Sequence, residues 1–320
     1  MLTLCAPGAE FLPDASGSEL RYDAVIWDGH GTPPAGAADV SFLVAGYADS
    51  TFDPAGLAAF PRLEVVQLLS AGYEDWIPSL PPEVTLANGR GVHGASTAEL
   101  AVAGVLALVR GLPFYVAEQA SHRWTPDHRG EISGRRALIL GSGDIGTRVA
   151  QVLEALGVEA VRVGRSAREG IHGIDELGRL LPTAEIVVLA LPHTPETDLL
   201  VNDGFLAALP DGAILANVAR GRIVDTDALV SHLRRGRISA FLDVTDPEPL
   251  PPQHPIWDVP NVLITPHVGG GTDHWRDRGA ELIHEQLRRY VQGLPLLNVV
   301  RPGSSSGGPN LPVPSDDSPA

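Results

Sequence analysis

Short apolar runs rich in β-branched residues recur along the chain with room for a helix or a loop between them, and this spacing limits the fold more than any other feature. Ala24–Trp27, Val40–Ala45, Leu63–Leu69 and Val84–Ala87 come first, bounded by Gly, Pro or Asp. Ala137–Leu140, Ala160–Val163, Ile186–Leu191, Ala213–Ala216, Ala240–Val244 and Val262–Thr265 follow. A strand that is apolar on both faces must be covered on both, so such strands alternating with helices predict parallel sheets layered between helices. At 320 residues the chain has length for about two domains of this α/β kind.

The intervening segments fit that reading. Thr97–Arg110 is Ala-rich and apolar nearly all round, as expected of a helix buried between packed bodies, and is expected to lead into the second domain. In Asp144–Gly157 the residues Ile145, Val149, Val152, Leu153 and Leu156 recur at helical spacing. A last helix is expected from beyond Glu281 to about Gln292, with Leu296–Val300 returning as an edge segment on the first domain. Residues 303–320 are mostly Gly, Ser, Pro and Asp, too poor in apolar groups to offset their ordering entropy, and are expected to be a disordered tail.

Composition excludes several chemistries. All 23 basic residues are arginine, so Schiff-base, pyridoxal and Walker-lysine mechanisms lack their central group. Cys5 is the only cysteine, which leaves no disulfide framework, thiolate zinc cluster or CxxC pair within the chain. Against 39 acidic residues the formal net charge is −16, which repels phosphate backbones and anionic lipid, so neither nucleic acid nor membrane is an expected partner. The start carries no basic and apolar leader and no stretch is long enough to span a bilayer, so the expected location is cytoplasmic. Among the 11 histidines, His284-Glu285-Gln286-Leu287-Arg288 fails the HExxH pattern at its last position, and no metal is expected; no GxSxG occurs either.

Gly141-Ser142-Gly143-Asp144-Ile145-Gly146 matches GxGxxG between a strand and an amphipathic helix. The first glycine ends the strand, the second lets a pyrophosphate reach the backbone, and the third allows close helix–sheet contact at an anion-favouring N-terminus. The second strand then ends Val163-Gly164-Arg165-Ser166, with Arg168 close behind and no carboxylate for the ribose diol of NAD. A guanidinium can instead fork onto a 2′-phosphate, so NADPH is expected over NADH, with NAD possible if these arginines are only solvated.

Ligands of open α/β sheets bind beyond the carboxyl ends of the strands. There Arg220 follows Ala213–Ala216, Glu248 follows Ala240–Val244, and His267 follows Val262–Thr265. Each alone has an ordinary structural explanation; three consecutive strands delivering Arg, Glu and His to one edge point to a site. The segments Asn217-Val218-Ala219-Arg220-Gly221-Arg222-Ile223-Val224-Asp225, Leu242-Asp243-Val244 with Glu248-Pro249-Leu250, and Thr265-Pro266-His267, with Leu191-Pro192-His193-Thr194-Pro195-Glu196-Thr197, resemble the D-isomer-specific 2-hydroxyacid dehydrogenase family. The similarity runs from about Leu63 to Val300.

The resemblance implies two doubly wound parallel-sheet domains, a Rossmann cofactor domain (residues 101–289) inserted into a flavodoxin-like substrate domain (1–100 with 290–302), and a homodimer. It implies that Pro192, Val218, Ala219 and Asp243 join the glycine loop, Arg165 and Ser166 in holding the dinucleotide. Reducing a 2-keto acid needs a hydride at the carbonyl carbon, a proton at its oxygen and an anchor for the carboxylate. Imidazole exchanges such a proton near neutral pH, which makes His267 the expected acid/base, with Glu248 favouring imidazolium and fixing its tautomer. Arg220 can polarise the carbonyl and bind the carboxylate with its planar fork. The resemblance adds the backbone of Ala71 and Gly72, in the turn Ser70-Ala71-Gly72-Tyr73-Glu74, as a further carboxylate contact, and Arg90 less firmly. Formate dehydrogenases of this family pair the histidine with glutamine, unlike Glu248. The leading substrates are glyoxylate and hydroxypyruvate; the alternative function is a non-catalytic dinucleotide-sensing protein of the corepressor type.

Overall fold

The computed structural model describes residues 2–13, 21–46 and 54–304, and the chain divides into two compact units, residues 1–93 with 273–320, and 94–272. The first unit opens with five strands: β1 (Leu2–Ala6), β2 (Tyr22–Ile26), β3 (Phe42–Ala45), β4 (Val65–Leu68) and β5 (Thr85–Ala87). The second contains α1 (Gly94–Val109), α2 (Leu112–Ala120), β6 (Arg136–Leu140), α3 (Asp144–Ala155), β7 (Glu159–Gly164), β8 (His172–Gly173), α4 (Leu177–Leu180), β9 (Ile186–Leu189), α5 (Asp203–Ala208), β10 (Ala213–Asn217), α6 (Thr226–Arg234), β11 (Ile238–Leu242) and β12 (Val262–Ile264). The chain then returns to the first unit with α7 (Trp275–Val291) and β13 (Val299–Arg301).

In the first unit the strands lie in the order β13-β5-β4-β3-β1-β2, all parallel except β13, which runs antiparallel along β5. The order 2-1-3-4-5 of the parallel strands is that of the flavodoxin-like sheet. The second unit has a parallel sheet in the order β12-β11-β10-β9-β6-β7-β8, the doubly wound 3-2-1-4-5-6 arrangement with one strand added. The expected α/β class, with a Rossmann-type sheet and a flavodoxin-like sheet, is the one observed.

Apart from the edge strand β2, the first sheet is buried on both faces, and so is the centre of the second. Along β6, Ala137 and Ile139 meet Ala101, Val105, Val149 and Leu153 from α1 and α3, while Leu138 and Leu140 face the opposite core with Phe205, Leu229 and Leu233. In the first unit, Cys5, Leu43 and Val66 pack under Trp27 and Phe60, and Leu4, Phe42, Val44 and Val65 pack against Phe11, Ile283 and Leu287. Burial pushes the Cys5 thiol up to about 12, so it stays a protonated core group.

Several expectations need correction. Ile283 and Leu287 give α7 its apolar face on the first sheet, so this helix belongs to the first unit rather than to the segment expected to end at residue 289. It also starts at Trp275, well before Glu281; the polar Arg276-Asp277-Arg278 run hides the periodicity, and Trp275 stacks on Phe11 with centroids 6.0 Å apart. Strand β1 was not anticipated, although it lies between β2 and β3, and β2 is a partly exposed edge rather than a buried strand. Helix α1 lies wholly in the second unit, on β10, β11 and α3. The expected tail lies outside the described residues except for Gly303 and Ser304, which are held: Gly303 N–H donates to Thr85 Oγ1 at 3.1 Å and Ser304 N–H to the Pro82 carbonyl at 2.9 Å. Among the described residues no single helix is long and apolar enough to cross a membrane.

Close helix–sheet contact in the second unit depends on Gly104 of α1. A Cβ there would lie 2.2 Å from Cγ of Phe241, which is itself only 1 % exposed and has nowhere to move. Alanine gains about 1 kcal/mol of helix propensity over glycine, less than an overpacking cost of up to about 3 kcal/mol. Gly104→Ala is therefore expected to lower the denaturant midpoint, and Gly104→Val to lower it further; an unchanged midpoint in both would contradict this packing.

Candidate active site

The glycine loop joins β6 to α3 beside β9, where the winding of the sheet reverses. Gly141 has φ +116°, and a Cβ on it would lie 2.2 Å from the Ala190 carbonyl oxygen. A Cβ on Gly146 would lie 1.9 Å from the Gly141 oxygen, whereas Gly143 has nothing within 4 Å of that position. Two glycines thus permit tight backbone packing, and the third leaves an open face at the N-terminus of a twelve-residue helix. This cradle fits a dinucleotide pyrophosphate.

The side chains of the loop are already engaged. Arg148 Nε donates to Asp144 Oδ1 at 2.6 Å, which leaves the backbone of Asp144 and Ile145 as their means of meeting an anion. Arg168 Nη2 donates to Ser142 Oγ at 2.8 Å, so Arg168, which the sequence placed only near the site, is tied to the cradle itself. Arg165 and Ser166 are exposed immediately after β7. Pro192 follows β9, where its carbonyl accepts from Thr197 Oγ1 at 2.8 Å, and Val218 and Ala219 are buried just after β10.

Beyond β11 and β12, Glu248 and His267 are brought together although 19 residues separate them: Nδ1 of His267 is 2.6 Å from Glu248 Oε1. The bond from His267 is the first cause holding the Glu248 carboxyl below the usual carboxylate range, opposed by partial desolvation and aided by the charge of Arg220. With Nδ1 committed to the carboxylate, Nε2 is the ring nitrogen left to exchange a proton.

The backbone of His267 has φ +51°, a left-handed conformation that costs a non-glycine residue energy and needs support. Asp243 supplies it. Its carbonyl accepts from His267 N–H at 2.7 Å, and its carboxylate, 3 % exposed, accepts from Thr265 Oγ1 at 2.6 Å and from the Val268 and Gly269 amides at 2.9 Å each. The carboxylate that the resemblance placed among the cofactor contacts thus also shapes the histidine loop.

Arg220 is positioned in a similar way by Asn217, a residue whose role the sequence reading missed. Buried at the end of β10, Asn217 donates from Nδ2 to the Arg220 carbonyl at 2.9 Å and accepts the Ala219 amide at 3.0 Å. Arg220 Nη1 in turn donates to the Ala219 carbonyl at 2.7 Å, and a Cβ on Gly221 would lie 1.9 Å from the Thr245 oxygen, so this loop touches the one leading to Glu248. A polar residue closing an apolar strand was the available signal. A further network, His193 Nε2 to Asp198 Oδ1 at 2.7 Å with Arg222 Nε to the same oxygen at 3.0 Å, holds Asp198 down at about 2, chiefly through Arg222.

In the first unit, Ala71 and Gly72 lie in the turn after β4. Ser70 Oγ donates to the Gly72 carbonyl at 2.8 Å, and the Tyr73 amide donates to Glu74 Oε2 at 2.9 Å. Arg90 Nε donates to Asn298 Oδ1 at 3.1 Å.

Comparison with known proteins places the chain in a family. Residues 102–269 match the family model for the D-isomer specific 2-hydroxyacid dehydrogenase NAD binding domain. A glyoxylate reductase of Aeropyrum pernix is 33 % identical over 303 residues, covering 85 % of this chain and 88 % of that protein. A D-isomer specific 2-hydroxyacid dehydrogenase of Xanthobacter autotrophicus Py2, solved with NADPH and MES, is 32 % identical with a TM-score of 0.78, over 94 % of this chain and 98 % of its own. An NADPH-dependent glyoxylate/hydroxypyruvate reductase of Sinorhizobium meliloti, solved with NADP and sulfate, is 25 % identical at the same TM-score of 0.78 and the same coverage, 94 % and 98 %.

A carboxylate whose folded pKa is lowered contributes stability above the ordinary glutamate value of about 4.3, and loses that contribution as pH falls through the folded value. The difference in unfolding free energy between wild type and Glu248→Gln is thus expected to shrink from about pH 6 to about pH 3. A difference constant across that range would contradict the pairing with His267.

Proposed function

Because the chain belongs to the D-isomer specific 2-hydroxyacid dehydrogenase family, and so is an NAD(P)-dependent oxidoreductase, we propose that it reduces glyoxylate, hydroxypyruvate or a similarly small 2-keto acid with NADPH in preference to NADH. The 2.6 Å bond between His267 and Glu248, in the unit that also carries the glycine loop, is the observation that carries this reading. The relatives named above are dehydrogenases and reductases and lend no support to a non-catalytic dinucleotide sensor.

In this reading the dinucleotide is held by the loop Gly141–Gly146 with Pro192, Val218 and Ala219, and Arg165 and Ser166 take the adenosine 2′-phosphate. The absence of an acidic residue after β7 and the NADPH-bound relatives support that preference. Bound NADPH supplies the hydride to the carbonyl carbon. The imidazolium form of His267 gives its Nε2 proton to the carbonyl oxygen, and the bond to Glu248 orients the ring for that transfer. Arg220 polarises that oxygen and binds the substrate carboxylate, to which the amides of Ala71 and Gly72 also donate.

The second unit is assigned to the cofactor and the first to the substrate. A net charge of −16 favours a small-molecule partner over nucleic acid or membrane, and a single buried cysteine suits the cytoplasm. A homodimer is proposed through the second unit, where Leu112, Val116 and Trp124 are exposed on α2 and just after it, Trp124 at 97 %.

Steady-state rates with glyoxylate, hydroxypyruvate, pyruvate and phenylpyruvate, each with NADPH and NADH, test substrate and cofactor together. Turnover is expected, faster with NADPH, and His267→Ala is expected to reduce it about 10²–10⁴-fold. No turnover across the panel, or near wild-type turnover in His267→Ala, would overturn the assignment. Trp124→Arg is expected to convert a two-chain species to one chain in sedimentation, and a wild type that sediments as one chain would remove the dimer.

A further inference from the structure

A buried polar relay crosses the first unit and ends on the turn assigned above to the substrate carboxylate. It starts on α7 at Gln286, which is fully buried and whose Nε2 donates both to Gln67 Oε1 and to the Leu297 carbonyl, at 2.9 Å to the latter; Gln286 Oε1 accepts the Leu297 amide at 2.8 Å. Gln67, also fully buried on β4, passes its own Nε2 to the carbonyls of Leu68 at 2.8 Å and Asn88 at 2.9 Å. Asn88 then uses every polar group it has: its amide donates to the Asn298 carbonyl at 3.0 Å, Oδ1 accepts the Arg90 amide at 3.2 Å, and Nδ2 donates to the Ala71 carbonyl at 2.8 Å.

Two neighbouring bonds complete the pattern. The Ser70 carbonyl accepts from the Gly89 amide at 2.6 Å and the Gly72 carbonyl from Ser70 Oγ at 2.8 Å, so three successive carbonyls of the turn, Ser70, Ala71 and Gly72, are tied to the protein. Gly89 can approach because it lacks a side chain; a Cβ there would lie 2.3 Å from the Leu69 oxygen. Among the described residues no protein acceptor meets the amides of Ala71 or Gly72. A turn whose carbonyls are tied back and whose adjacent N–H groups stay available is a preorganised anion receptor.

We propose that Asn88 is a positioning residue for the substrate carboxylate, holding the Ala71–Gly72 amides in place, and that Gln67 and Gln286 hold Asn88. A buried amide with both donors bonded is costly to displace, so the relay ties the turn to α7 and to the returning segment at Leu297 and Asn298. The proposal rests on the assignment of the Ala71 and Gly72 amides to the carboxylate. It adds that their direction is set from outside the turn.

Loss of one hydrogen bond of this kind corresponds to roughly a tenfold change in a binding constant. Asn88→Ala is expected to raise KM for the 2-keto acid, and the inhibition constant of the carboxylate analogue oxamate, about tenfold, while kcat stays within about twofold and the NADPH dissociation constant is unchanged. Asn88→Asp preserves size and the acceptor for Arg90 but not the donor to Ala71, so it serves the same purpose if the alanine variant melts early. Gln286→Met is expected to show the same KM-selective effect, more weakly. Unchanged KM in folded Asn88→Ala or Asn88→Asp, or a loss confined to kcat, would overturn the proposal. Gly72→Pro separates the two ideas, because it deletes one of the assigned donors. If it weakens oxamate binding while the Asn88 variants do not, the relay fails and the carboxylate assignment stands; if it leaves oxamate binding intact, the assignment itself falls.

Discussion

A carboxylate out of reach of water must be met by donors, and Asp243 is such a group. It closes β11, is buried, and gathers a hydroxyl and two amides from the segment that follows β12, while its own carbonyl takes the His267 amide. The positive φ of His267 and the placement of its ring beside Glu248 both follow from that gathering. The His267–Glu248 pairing, proposed above as the acid/base pair, thus rests on how one buried carboxylate is satisfied, and those hydrogen bonds support the left-handed backbone of His267.

Elsewhere in the second unit the same economy recurs with neutral groups. Asn217 sits at the equivalent end of the neighbouring strand and bonds the backbone on either side of Arg220, and Gly221 lets that loop press against Thr245. Polar side chains at the ends of β10 and β11 therefore shape the loops, while residues a few positions later carry the groups proposed to react. The proposed acid/base and anchoring arginine come from loops, but loops whose geometry is dictated by the buried ends of strands.

Much of this was legible in the sequence because it is local. Ala137–Leu140 followed by Gly141–Gly146 announces a strand, a phosphate turn and a helix in one continuous stretch, and the apolar runs before Arg220, Glu248 and His267 place each residue at a strand end. What escaped depends on partners far away in the chain. Leu2–Ala6 is only a short apolar run until it is seen between β2 and β3, and α2 is masked by a proline that its first turn tolerates. Gln67 and Gln286, 219 positions apart, look like ordinary polar residues in a strand and a helix, and nothing near either one signals the other. Trp275 opens α7 and stacks on Phe11, but the charged residues of that first turn conceal the helix until after Glu281.

The return of the C-terminal segment to the first sheet has a consequence for the order of events during synthesis. Residues 94–272 form a contiguous unit and can collapse once they have left the ribosome, whereas the sheet that began with Leu2 lacks the helix covering one face and the strand guarding its β5 edge. Until Ile283, Leu287 and Val299 arrive, that half-built layer exposes Leu4, Phe42 and Val44 and an unpaired strand border, the surfaces on which nascent chains aggregate. Residues 1–93 are therefore made before the inserted unit but finish folding after it, and their dependence on chaperones during translation should exceed that of the unit inserted within them.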